Sequence, residues 1–239
     1  MNRLLLAAFS SLVLFTSCHM FFKRIHGTGN VVTQSRSFSN FTGVEVSSAI
    51  DLYVKQDSAF SVKVEVDDNL QQYIIISESE GTLSIHQENN TSLDATGKIK
   101  VYVTAPEFRH LEAAGASNII GQNTLTNASI TDIGLSGASN AELDIKTPKI
   151  TMDLSGASNI TLRGETKDFS VEGSGSSGIK CFDLLSENTD VDISGASRAE
   201  VFGSVKIKAI ASGASQVYYK GNGEVSSHES GAGNVRKAQ

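Results

Sequence analysis

Three observations predict an all-β protein, a parallel β-helix whose rungs each take about 18–22 residues. The first is recurrence. Leu154-Ser155-Gly156-Ala157-Ser158-Asn159-Ile160 is preceded by Leu135-Ser136-Gly137-Ala138-Ser139-Asn140-Ala141 and followed by Ile193-Ser194-Gly195-Ala196-Ser197-Arg198-Ala199. Looser copies centre on Gly115, Gly175, Gly213 and Gly231, and the steps between these glycines are 22, 19, 19, 20, 18 and 18 residues. A period near twenty with turn chemistry inside it marks a solenoid. The second is alternation on both sides of each glycine. Apolar residues stand four before (Leu111, Ile133, Met152, Val171, Val191, Ala209), two before (Leu135, Leu154, Ile193), four after (Ile119, Ile160, Ile179, Val217) and six after (Leu143, Leu162, Val201), with mostly polar residues between. That period of two is the signature of half-buried strands. The third is the corner itself. Glycine reaches the positive φ that a sharp bend between strands often needs, and Ala and Ser are small enough to stack rung on rung. Rungs about 4.8 Å apart give six intervals a length on the order of 29 Å. Ser227 and Glu229 break the apolar pattern in the last copy, as suits a terminal rung with nothing to cover. Asn118, Asn140, Asn159 and Asn234 recur after the corner, where an amide bonds its own backbone or the amide of the next rung.

Taken in order, the chain opens on a targeting segment. Arg3 supplies a positive start, Leu4 to Phe15 an apolar run of 12 residues, and Thr16-Ser17 a small-residue site before Cys18. The run is too short to span a bilayer. Leu14-Phe15-Thr16-Ser17-Cys18 resembles a bacterial lipobox, with Phe15 where leucine is commoner. On that reading residues 1–17 are a signal peptide and Cys18 becomes the acylated, palmitate-bearing first residue of the mature protein. Residues 18–26 are then a lipidated tether against the membrane. An ordinary secretory signal with an incidental cysteine is the alternative.

Residues 27–105 read as an N-terminal β region with degenerate repeats. Val44-Glu45-Val46-Ser47-Ser48-Ala49 copies the repeat with Ser48 in the glycine slot, and Leu52 and Val54 follow in phase. Longer strands follow at Ser61–Val66, Tyr73–Ile76, Thr82–His86 and Lys98–Val103, with Gly81 and the polar stretch Glu88 to Thr96 as turns. Asp68 to Gln72 allows one helical turn. Pro106 ends this region, and residues 106–239 carry the Ser-Gly-Ala-Ser repeats.

Composition bounds the function. Formal net charge is −6 over 239 residues, and loss of Arg3 with the signal leaves −7. With no basic stripe, binding nucleic acid through phosphates is excluded. Cys18 and Cys181 are the two cysteines; with Cys18 acylated no intramolecular disulfide remains, and Cys181, on an inward position, reads as a small buried apolar group.

Gly27-Thr28-Gly29-Asn30, the Val44-to-Leu52 segment, Gly81-Thr82-Leu83-Ser84-Ile85, Val101-Tyr102-Val103-Thr104-Ala105-Pro106 and the tandem Ser-Gly-Ala-Ser copies, in this order, resemble the head GIN domain family of auto-transporter adhesin-type proteins, common in Bacteroidetes as lipoproteins. The resemblance runs from about Gly27 to the C-terminal residues. It implies a right-handed parallel β-helix in the cell envelope, tethered to the outer membrane with the side it faces left open, and adhesin-like binding without a site to carry over. No Gly-Ile-Asn tripeptide occurs, and the four residues after Val235 cannot form a translocating barrel, so the resemblance is to the head alone.

Candidate chemistry is sparse. Gly173-Ser174-Gly175-Ser176-Ser177-Gly178 spells the G-x-G-x-x-G pattern, but a dinucleotide site needs a helix N-terminus at the phosphates, and Ile179-Lys180-Cys181 continues the strand phase. No cofactor is expected. Three residues before the glycines stand Glu112, Asp153, Glu172 and Asp192, an exposed ladder. It reads first as a solubilising face that discourages lateral strand pairing. Calcium wants six to eight oxygens, which single carboxylates one rung apart do not supply. The five histidines show no metal-ligand spacing, and neither a metal nor a catalytic residue is assigned. Two functions stay open: a non-enzymatic envelope lipoprotein whose partner is a glycan, an envelope protein or a second copy, and a polysaccharide lyase-like enzyme with Lys180 or Arg198 beside the carboxylates.

Overall fold

The computed structural model describes residues 23–238. Cys18, the expected lipid-attachment site, and the expected signal peptide lie outside them. The chain folds as a β-solenoid of about six turns. Each turn leaves a Ser-Gly-Ala-Ser corner, runs along one face, bends, and returns along a second face to the next corner. The longest strands pass through the bend: Asn140–Leu154, Asn159–Gly173 and Gly178–Ile193. They pair parallel and in register, Leu154 with Gly173 and Gly173 with Ile193.

The unequal repeat steps have local causes. The 22-residue step holds a detour after Asn118–Gly121, with the two-residue strand Leu125–Thr126 before Ile130–Leu135. The 20-residue step carries a bulge, where the register between Thr161 and Arg163 slips against Lys180 and Asp183. The 18-residue steps break their strands at tight turns, as between Arg198–Phe202 and Lys206–Ala211.

At the corners the glycines hold φ between +67° and +77°. The residue after each donates its backbone N–H to the glycine carbonyl of the preceding rung, from Ala138 to Gly115 O through Ala232 to Gly213 O, all at 2.7 Å. The serine two after the glycine is buried in six corners, and in four of them (Ser139, Ser158, Ser177, Ser215) its hydroxyl donates to the carbonyl three residues back at 2.8 Å. A buried hydroxyl needs such a partner, so the serine closes the bend as well as fitting it.

The inward set is the one that alternation marks. Leu111, Met152, Val171, Val191, Leu154, Ile193, Ile160, Ile179, Leu162 and Val201 are all buried. One apolar cluster runs from Phe41 to Val217 and takes in Leu52, Val64, Leu83 and Val101 of the N-terminal part. Cys181 is fully buried, and burial pushes its thiol up to about 12, the state of an inert core residue.

The N-terminal part is itself rungs, out of chain order. Gly43–Val46 pairs parallel with Thr82–Gln87 on one side and His110–Ala113 on the other. Ile50–Gln56 lies likewise between Ile99–Ala105 and Asn118–Gly121. The stack then closes with antiparallel strands: Val31–Arg36 on Ser61–Asp67, and Ile74–Ser79 on Thr82–Gln87. Asp68–Tyr73 is a 3₁₀ turn. Within the polar stretch expected as a turn, Thr91–Asp94 is instead a strand, paired parallel with Lys23–His26. Arg24 bonds Asp94 at 3.1 Å, and Ile25 and Leu93 pack on the core.

Candidate functional site

The register sets the outward side chains in columns. On the return face Glu45, Glu112, Gly134, Asp153, Glu172 and Asp192 are successive partners. Four of these are the carboxylates expected from the repeat phase: Glu112 is half-buried, and Asp153, Glu172 and Asp192 are exposed. With His110, Asp132 and Thr151 they line a groove of about 590 Å³. Its depth comes from Gly134, which interrupts the column between Glu112 and Asp153. A Cβ there would lie 3.2 Å from Glu112 Cγ, so the side chain of Glu112 leans over the vacant place. Among the described residues Asp153, Glu172 and Asp192 enter no ion pair, and no Lys or Arg lines the groove.

The bases considered for a lyase do not reach these carboxylates. Lys180 lines a groove on the other face. The Arg198 guanidinium donates to Glu200 at 2.8 Å and lies over the Tyr218 ring. The G-x-G-x-x-G stretch is a corner between two strands, with Gly175 at φ +77° and no helix after it.

On the outgoing face a second groove of about 520 Å³ follows a run of polar side chains. Asn159 Nδ2 donates to Asn140 Oδ1 (3.2 Å), Asn140 Nδ2 to Asn118 Oδ1 (2.9 Å), and Asn118 Nδ2 to Asp51 Oδ1 (2.5 Å). Asp51 is buried and ends the run on Lys98 Nζ at 2.8 Å. Its hydrogen bond and its charge hold the Lys98 ammonium above the usual lysine value. The Tyr53 and Tyr102 rings stack beside it, 5.0 Å apart. The amide ladder is expected from the repeat; its acidic terminus follows from the same phase, since Asp51 stands three residues after Ser48 as Asn118 stands three after Gly115.

One further cluster escapes the sequence. His110 Nε2 lies 3.8 Å from Glu45 and 3.6 Å from Glu112. The signal for it was Ser48 in the glycine slot, which places Glu45 at the same phase as Glu112.

A parallel solenoid with outward ladders and shallow open grooves is also the fold of known proteins. The model of the family described as "putative auto-transporter adhesin, head GIN domain" matches residues 40–223, and the chain belongs to that family. Among solved structures, one described as a putative adhesin from Bacteroides fragilis superposes with a TM-score of 0.85 at 18% identity, over 90% of this chain and 100% of that one. One described as a putative lipid binding protein from Parabacteroides distasonis gives 0.75 at 22%, over 91% and 100%. A putative adhesin from Parabacteroides merdae gives 0.70 at 20%, over 91% and 100%. At these identities the likeness is one of fold. No curated protein matches the chain. None of the helices among the described residues is long and apolar enough to cross a membrane.

Proposed function

We propose that the chain is a non-enzymatic lipoprotein of the cell envelope, tethered through an acylated Cys18, whose solenoid offers its side-chain ladders to a glycan, an envelope protein or a second copy. The observation that carries this reading is two regular ladders in open grooves, with the bases that a lyase would need, Lys180 and Arg198, away from the return-face carboxylates. Family membership supports an envelope setting. A rigid stack costs little further ordering when it binds, which favours recognition by preformed surfaces.

The test has two arms. Fatty-acid labelling of the full chain is expected in the wild type and lost in Cys18→Ser, which should appear soluble or unprocessed; continued labelling contradicts the tether. Incubation with acidic glycans, with and without calcium, is expected to show no cleavage. Turnover that disappears in Asp153→Ala or Asp192→Ala contradicts the non-enzymatic reading.

A further inference from the structure

We propose that Glu45, His110 and Glu112 form a site for one divalent cation of the zinc class, beside the return-face groove that His110 and Glu112 line. Strands Gly43–Val46 and His110–Ala113 run parallel in register, so Glu45 stands directly opposite Glu112. His110, two residues from Glu112 on the same strand, points to the same face. One donor atom from each of the three lies within 4.8 Å of the others.

The separations are informative. His110 Nε2 to the two carboxylate oxygens measures 3.6 and 3.8 Å, longer than a hydrogen bond. Ligands bound at about 2.1 Å around a tetrahedral ion stand about 3.4 Å apart, edge to edge. The two His–Glu separations are close to that edge, and the three donors lie within 4.8 Å of one another. Like charges directly opposite across a strand pair repel, and among the described residues Glu45 and Glu112 have no Lys or Arg partner, only His110. An imidazole with two carboxylates is a donor set for zinc and its neighbours, while calcium prefers oxygen alone. Three protein ligands leave a fourth position open. Asp132, in register with His110, is already engaged by the Thr151 hydroxyl and is not counted among the ligands.

The experiment is equilibrium dialysis of the full chain, stripped with chelator, against zinc, followed by cobalt substitution and a visible absorption spectrum. One ion per chain and a four-coordinate cobalt band are expected. His110→Ala and Glu112→Gln should each weaken binding by more than the roughly 10–100-fold that loss of an outer-shell partner costs and abolish the band. Glu172→Gln, two positions further along the ladder, should change neither, and His26→Ala should leave the band intact. Circular dichroism of each stripped variant verifies folding; the three side chains are half-exposed at the surface, so the fold does not depend on them. Absence of binding in the wild type overturns the proposal. So does equal weakening by Glu172→Gln, which would mean diffuse attraction to the ladder, or a band lost in His26→Ala.

Discussion

At Gly156 the backbone holds φ +74°, and a Cβ would lie 2.4 Å from the carbonyl oxygen of Gly137. Ser48 keeps a side chain at φ +70° in the same slot. Gly156→Val combines backbone strain of order 1–3 kcal/mol with that collision. Its denaturant midpoint should fall well below the wild type's, and an unchanged midpoint would show that the corners do not stack. Asp67 makes a second residue-scale test. It is fully buried and accepts the N–H of Gly29 at 2.7 Å, and the N–H and hydroxyl of Thr96 at 3.0 and 2.8 Å. Burial pushes its pKa up, but these bonds outweigh burial and hold it below the usual carboxylate value. A carboxyl depressed in the folded state contributes stability that is complete above its unfolded pKa, about 3.9, and lost as pH falls through the folded value. Urea midpoints should therefore drop below about pH 4, with a smaller drop in Asp67→Asn; identical pH profiles would contradict the role. Glycine and inward apolar positions could be read from the repeat because they recur. Asp67 could not, since its partners lie 38 and 29 residues away and occur once.

At the scale of elements, the regular rungs follow from periodicity, while the N-terminal order does not. Gly43–Val46 enters between Thr82–Gln87 and His110–Ala113, and a strand pattern alone does not say which later strands will flank it. The strand Thr91–Asp94 was hidden by polar residues because it has one partner strand and is stabilised by Arg24, Asp94 and a single Ile25–Leu93 contact with the core. The outermost strand, Val31–Arg36, depends on the 3₁₀ turn. Gln71, 3% exposed, donates from Nε2 to the carbonyls of Val32 (2.9 Å) and Val64 (3.0 Å) and accepts from Arg36. Removing one partner of a buried bond costs about 1–3 kcal/mol. In Gln71→Ala, amide exchange should quicken across residues 31–36 while the strands from Asn140 to Ile193 keep their protection. Uniform quickening would mean that the edge strand is not a separate local unit.

For the whole molecule, the central claim is one core. The apolar cluster runs without a break from Phe41 to Val217, so the N-terminal strands and the Ser-Gly-Ala-Ser rungs share an interior, and the outward ladders stand on a single rigid stack. The most direct measurement is denaturant unfolding of Leu83→Ala, Leu154→Ala and Thr161→Ala, followed by circular dichroism. Leu83 and Leu154 are buried in the N-terminal and the repeat strands, and Thr161 faces outward between buried Ile160 and Leu162. Each leucine truncation should lower the same single transition by about 2–5 kcal/mol, and Thr161→Ala should stay within about 0.5 kcal/mol. Two separate transitions, each moved by only one of the leucine variants, would contradict the shared core, and a Thr161→Ala loss larger than either would reverse the assignment of inside and outside.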